Sequence, residues 1–161
     1  MIKEIGREDI SQCVSIIKES FMTVADDFGF TARNAPRFTA FAMSDERLYY
    51  QLDNEHRLMV AYYLDDGAIV GYYSLLLQED KQCELNNLSV LPKYRHNGIG
   101  AALLNDAFIR ARNTGCVKMN IGIVEENAIL RKWYEDNGFS HVGTRKFDFF
   151  PFTCGYMEKK L

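Results

Sequence analysis

The stretch that most constrains this chain is residues 88–100: Leu-Ser-Val-Leu-Pro-Lys-Tyr-Arg-His-Asn-Gly-Ile-Gly. Its apolar start reads as the end of a strand. Pro92 breaks that strand, a basic loop with two glycines follows, and Ile99 opens an apolar helix face. The first N–H groups of a helix have no acceptor within the helix, and the helix dipole puts partial positive charge there. Gly98 and Gly100 remove the side chains that would hold an anion off the backbone. Lys93 and Arg95 add charge and donors. The stretch is expected to bind an anion at a strand–loop–helix junction; a plain connection is the competing reading.

Two common phosphate loops fail on spacing. No Gly-x-x-x-x-Gly-Lys-Ser/Thr string occurs. A dinucleotide fingerprint needs a small residue three positions after its second glycine, and that position is Leu103. What stands is Arg95-x-x-Gly98-x-Gly100 behind Leu88-Ser89-Val90-x-Pro92. A second segment, residues 127–139, reads Asn-Ala-Ile-Leu-Arg-Lys-Trp-Tyr-Glu-Asp-Asn-Gly-Phe. Asn127 and Tyr134 lie about two helical turns apart, so they share a helix face. Gly138 allows the left-handed turn that ends the helix.

The chain has 161 residues, 47% of them hydrophobic and 25% charged, which suits one soluble domain over residues 1–161. A net charge of −3 argues against a general nucleic-acid surface. Cys13, Cys83, Cys116 and Cys154 form no C-x-x-C pair, and we expect free thiols in a reducing cytoplasm. No signal-peptide core and no membrane-length apolar run is seen. No His/Asp/Glu cluster has metal-ligand spacing, so no metal is expected.

Periodicity supplies the elements. A short strand at residues 1–5 precedes a helix at 10–22, with Asp9 as its cap and Ile10, Cys13, Val14, Ile17 and Phe21 on one face. Asp26, Asp27 and Gly29 are expected to break it, leaving 24–34 as loop. A short helix follows at 36–43. Strands at 57–64, 69–77 and 83–90 form a meander, the first pair joined by the turn signal Asp65-Asp66-Gly67. A helix at 98–112, a strand at 117–123, a helix at 128–136 and strands at 139–147 and 155–159 complete the chain. The expected fold class is α/β (α+β mixed): a central mixed, mostly antiparallel β-sheet flanked by helices on both faces.

The two segments together resemble the signatures of the GCN5-related N-acetyltransferase (GNAT) family. The resemblance is carried by residues 85–139 and reaches the rest through the order of elements. Leu130 departs from it, since members often carry Ala there; a packing change is expected. The resemblance implies a GNAT-like acyl-CoA N-acyltransferase fold and acetyl transfer from acetyl-CoA, used as co-substrate, to a primary amine on a small molecule or a peptide. It implies that Leu88, Ser89 and Val90 meet the pantetheine arm. Arg95, His96, Asn97, Gly98, Ile99 and Gly100 would hold the pyrophosphate. Asn127 would contact pantetheine, and Tyr134 would approach the thioester sulfur.

The reaction needs a neutral amine. An alkyl amine of pKa near 10.4 is neutral in roughly one molecule of 2,500 at pH 7, a deficit of about 4.6 kcal/mol. Tyr134 is the candidate general acid toward the thiolate; positioning the thioester is its other reading. Glu84 is the candidate general base through water, expected on the strand face of Asn86 and Leu88; a solvated strand-end glutamate is the alternative. Asn86 and Asn87 line the acceptor site or mark a bulge. Two aromatic segments, holding Phe21, Phe28, Phe30, Phe38 and Phe41 and then Phe147, Phe149, Phe150 and Phe152, read as an acceptor rim or as core and dimer contact. Asp26, Asp27 and Asp148 are expected to meet a cationic amine. Monomer and homodimer both stay open. A non-catalytic acyl-CoA sensor is the second functional reading.

Overall fold

The computed structural model describes residues 1–161. Strands β1 (Ile2–Glu4), β2 (Leu58–Tyr63), β3 (Ile69–Leu77), β4 (Gln82–Val90), β5 (Lys118–Val124), β6 (Ser140–Lys146) and β7 (Thr153–Lys160) form one sheet in the order β1-β2-β3-β4-β5-β7-β6. Every neighbouring pair is antiparallel except β4 with β5. Helices α1 (Ile10–Phe28), α2 (Thr39–Ala42) and α3 (Asp45–Asp53) precede the meander. Helix α4 (Ile99–Asn113) follows the glycine loop, and α5 (Ala128–Asp136) follows β5.

Helices cover both sheet faces because alternate strand residues are apolar on each. Ile10, Cys13, Val14 and Ile17 of α1 pack with Leu48, Met59, Ala61 and Tyr72 on one face. Leu103, Leu104, Ala107 and Phe108 of α4 pack with Tyr73, Leu75, Leu85 and Met119 on the other. Gly71 lets α4 come close: a Cβ there would stand 2.8 Å from Leu103 Cδ1.

Three sequence expectations need correction. Helix α1 runs past Met22 to Phe28 and stops at Gly29, whose φ is 73°. Asp26 and Asp27 face solvent, where a helix tolerates them, and Ala25 is buried on the inner stripe. Asp9 does not cap α1 through its side chain; its carboxylate accepts from Gly6 N–H at 2.9 Å and Tyr63 Oη at 2.8 Å. Helix α3 has no counterpart in the periodicity reading, and the expected helix at 36–43 shrinks to α2. Ser44 caps α3 by accepting from Arg47 N–H, and its buried residues are Leu48 and Gln51, too few for a clear stripe.

The feature that shapes the site is a bulge in β4. Ser74 pairs with Asn86 but Tyr72 pairs with Ser89, so Asn87 and Leu88 together oppose Tyr73. Asn87 adopts φ 55°, and the buried Ser89 hydroxyl donates to Asn87 O at 2.8 Å. β4 meets β5 only at Gln82–Lys118, Cys83–Met119 and Glu84–Asn120. Beyond Glu84 the two strands separate. The bulge also inverts the alternation. Leu85 pairs with Leu75 and Val90 with Gly71, all on the α4 face, although five positions separate Leu85 from Val90.

Candidate functional site

A cavity of about 280 Å³ opens where β4 leaves β5. Leu85, Asn87 and Leu88 form one wall, and Ile121, Gly122, Ile123 and Val124 of β5 the other. Phe21 and Val24 of α1, Phe38, Phe150 and Phe152 close the α1 side. The aromatic segments therefore serve two purposes. Phe30, Phe38 and Phe152 are buried in a small core, with Phe30 and Phe152 centroids 4.9 Å apart. Phe38, Phe150 and Phe152 also present surface to the cavity.

Asn127 and Tyr134 both line it. Asn127 caps α5, its Oδ1 accepting from Leu130 N–H at 3.2 Å. Two glutamates fix the turn that carries it. Glu125 pairs with Arg131 at 2.9 Å and His141 at 2.8 Å, and Glu126 accepts from Thr153 N–H at 2.9 Å. Tyr134 is 7% exposed, its ring held edge-on by Trp133 and Phe139 at 5.0 and 5.3 Å. No protein group bonds its hydroxyl, and burial alone pushes the phenol above its ordinary range. At neutral pH it is a protonated donor facing a mostly apolar space.

The glycine loop sits at the other end of the split. After the 3₁₀ turn Pro92–Tyr94, His96 and Gly98 take left-handed conformations, φ 62° and 80°. Tyr94 N–H and Arg95 N–H return to Leu91 and Pro92, but the N–H groups of His96, Asn97, Gly98, Ile99, Gly100 and Ala101 meet no acceptor within the chain. Such a run of free amides leading into a helix start makes an anion cradle. The side chains of His96 and Asn97 are exposed. Ile99 is buried against the sheet, so only its backbone faces the cradle.

Arg95 is placed otherwise than its charge suggested. Its guanidinium turns back to α1, donating to Thr23 Oγ1 at 3.0 Å and to Ser20 O and Oγ at 3.1 Å. Nε reaches Val90 O at 3.3 Å. It ties the loop to α1, so its side chain is not turned to an anion on the cradle. Ser89 likewise spends its hydroxyl on the bulge. Lys93 is exposed beside the Tyr94 ring.

Glu84 lies outside the cavity lining. The bulge puts it, with Asn86, on the face opposite Leu88, which corrects the alternation expected from sequence. It accepts from Gln78 Nε2 at 3.2 Å. Register through Asn120 to Glu158 places Glu84 on the sheet face that carries Gly122 and Tyr156. Asp26, Asp27 and Asp148 do not line the cavity. Arg37, Thr39, Cys154 and Tyr156 do; no local sequence signal marked them, because the β5–β7 register sets Cys154 and Tyr156 beside Val124 and Gly122, and tertiary packing brings in Arg37 and the start of α2.

The Acetyltransferase (GNAT) family model matches residues 25–139. The chain belongs to the GNAT family. An uncharacterised N-acetyltransferase of Mycobacterium tuberculosis is 35% identical over 82 residues, 51% of this chain and 53% of that protein. The chain thus spans about half the length of the mycobacterial relatives it matches. A spermidine N(1)-acetyltransferase of Thermoplasma acidophilum is 23% identical over 162 residues, covering 99% of this chain and 96% of that one. Among solved structures, the PaiA N-acetyltransferase of Thermoplasma acidophilum in complex with coenzyme A superposes with TM-score 0.84 at 21% identity, covering 100% of this chain and 98% of that chain. This GNAT chain shares that fold. No helix in it is long and apolar enough to cross a membrane.

Proposed function

We propose that this GNAT protein transfers acetyl from acetyl-CoA to an amine by direct attack, with both substrates bound together. The observation that carries the reading is the Tyr134 hydroxyl: buried, unpartnered and set in the cavity where β4 and β5 part. The chain's own groups fit the donor. Unpaired amides from His96 to Ala101 suit the pyrophosphate. The strand edges beyond Glu84 and Asn120 lie open to a pantetheine arm. A cavity of about 280 Å³ has room for a thioester end and a small amine, not for a whole coenzyme.

In the reaction a C–N bond forms as the C–S bond breaks, and one proton passes from nitrogen to sulfur in net terms. Tyr134 supplies a hydrogen bond to the sulfur as negative charge grows there. With its phenol pushed upward, it keeps its proton throughout and acts as a hydrogen-bond donor to the sulfur, which takes its net proton from the amine by way of water. Glu84 is the proposed route for the amine proton, through water, because it shares a sheet face with Tyr156 and Gly122 of the cavity wall.

Thiol release from acetyl-CoA in the presence of an amine library tests the reading. Acceptor-dependent release that falls in Tyr134→Phe supports it. Tight coenzyme A binding with no release across amines and peptides would favour an acyl-CoA sensor instead.

A further inference from the structure

The charge at the cavity mouth has the wrong sign for the expected acidic rim. Arg37 is the charged side chain in the lining. Its guanidinium lies 4.2 Å from the Phe149 ring centroid and pairs with no carboxylate. Phe149 stacks on Phe147 at 5.1 Å, and Arg145 lies 4.4 Å from the Phe147 centroid, again without an acidic partner. Arg145 is opposite Cys154, a lining residue, in the β6–β7 register. One stacked pair of rings thus holds two free guanidiniums beside the cavity.

The neighbouring carboxylates lie outside the lining. Glu125 pairs with Arg131 and His141, and Glu158 with Lys118. Glu126 and Glu84 accept only from neutral donors, Thr153 N–H and the Gln78 amide, and keep their charge on the Cys154 and Tyr156 side, away from Phe149 and Arg37. Asp148 is exposed and outside the lining. The remaining surface is mostly apolar: Phe21, Val24, Phe38, Phe150 and Phe152. A polyamine would bring several positive charges beside Arg37 and find no carboxylate in the lining to pair with them.

We infer that the acceptor is a small apolar amine that also carries a carboxylate, an α-amino acid in kind, with Arg37 as the residue that reads its anion. The inference rests on the acetyl-transfer reading. A guanidinium fixed on a ring is preorganised for a two-pronged contact with a carboxylate, and an aromatic or branched side chain fills the phenylalanine wall. Arg37 acts on specificity; the reacting atoms lie deeper, at Tyr134.

The test pairs each amino acid with its decarboxylated amine: phenylalanine with 2-phenylethylamine, leucine with isoamylamine, tryptophan with tryptamine, and spermidine as the polycation. Each pair is compared at pH values giving equal neutral-amine fractions. We expect the carboxylated member of at least one pair to show about tenfold higher kcat/KM, equivalent to about 1.4 kcal/mol. Arg37→Ala should bring that ratio close to one through KM rather than kcat, and Arg37→Lys should restore part of it. Calorimetry adds a readout without turnover: the N-acetyl form of the favoured amino acid should bind about tenfold more weakly to Arg37→Ala. If every decarboxylated amine, or spermidine, is acetylated as well as or better than the amino acids, the inference falls while acetyl transfer stands. An unchanged ratio in Arg37→Ala also overturns it. If no amine releases thiol from a protein that binds coenzyme A, both readings fall.

Discussion

Arg95 separates two accounts of the glycine loop. A loop arginine that grips phosphate should, when removed, cost coenzyme A affinity and leave stability alone. In the structure its guanidinium instead bridges the loop to α1. It reaches Thr23 Oγ1, Ser20 O, Ser20 Oγ and Val90 O at 3.0 to 3.3 Å. Not all four bonds carry equal weight. Ser20 O also accepts from Thr23 Oγ1, so losing the arginine does not orphan it. The Val90 contact is long. The contacts to Thr23 Oγ1 and Ser20 Oγ remain, each worth about 1–1.5 kcal/mol net for a partly buried cation on neutral oxygens. Arg95→Ala should then destabilise by about 2–3 kcal/mol, a fall in Tm of roughly 5–10 °C for a chain of this size. Arg95→Lys, with one ammonium for two partners, should recover about half. The assay is thermal unfolding without ligand, read beside coenzyme A titration. An unchanged Tm with affinity lost about tenfold or more would refute the clamp and restore the phosphate role.

Three other outcomes follow from single contacts. Tyr134→Phe should lower kcat by about 100-fold or more while coenzyme A affinity and Tm barely move, because its hydroxyl has no protein partner; equal losses in kcat and affinity would contradict this. Gly71→Val should destabilise by about 1–3 kcal/mol, read by urea unfolding, because its Cβ would meet Leu103 Cδ1 at 2.8 Å and Ser89 O at 3.2 Å. Stability should also fall above about pH 8.5, the ordinary thiol value. Burial, reinforced by Asp9, pushes the Cys13 thiol up to about 12, and burial pushes the Cys83 thiol up as well. Between the two pKa values the unfolded chain has released protons that the folded chain keeps. This stability is therefore complete below the unfolded pKa and lost as pH rises toward the folded one. Each thiol contributes up to about 1.4 kcal/mol per pH unit, measurable by urea unfolding from pH 8 to 10. A flat profile would contradict the burial of both thiols.

What the sequence disclosed was what local physics decides. Helix α5 begins and ends where Asn127 and Gly138 place it, because a cap and a left-handed stop act within one turn. The unpaired amides that lead into α4 were legible for the same reason. Non-local features were legible only in part. A bulge was one of two readings of Asn86 and Asn87, but its consequence, Glu84 on the face opposite Leu88, depends on how β4 pairs with β3. Arg95 reads as a phosphate residue until α1 is folded against the loop, when Ser20 and Thr23 claim it. Charge at the cavity mouth was misjudged because Asp26, Asp27 and Asp148 are visible in sequence, whereas the stacking of Arg37 on Phe149 is made only by tertiary packing.

The central claim is that the split between β4 and β5 holds the thioester and the loop behind it the pyrophosphate. A crystal structure with coenzyme A tests this most directly. The account predicts the pantetheine arm between Leu88 and Ile121, the sulfur within hydrogen-bond reach of Tyr134 Oη, and phosphate oxygens on the amides of His96 to Ala101 with Arg95 still bound to Ser20. Coenzyme A seated elsewhere, or a Tyr134 hydroxyl pointing away from the sulfur, would contradict it.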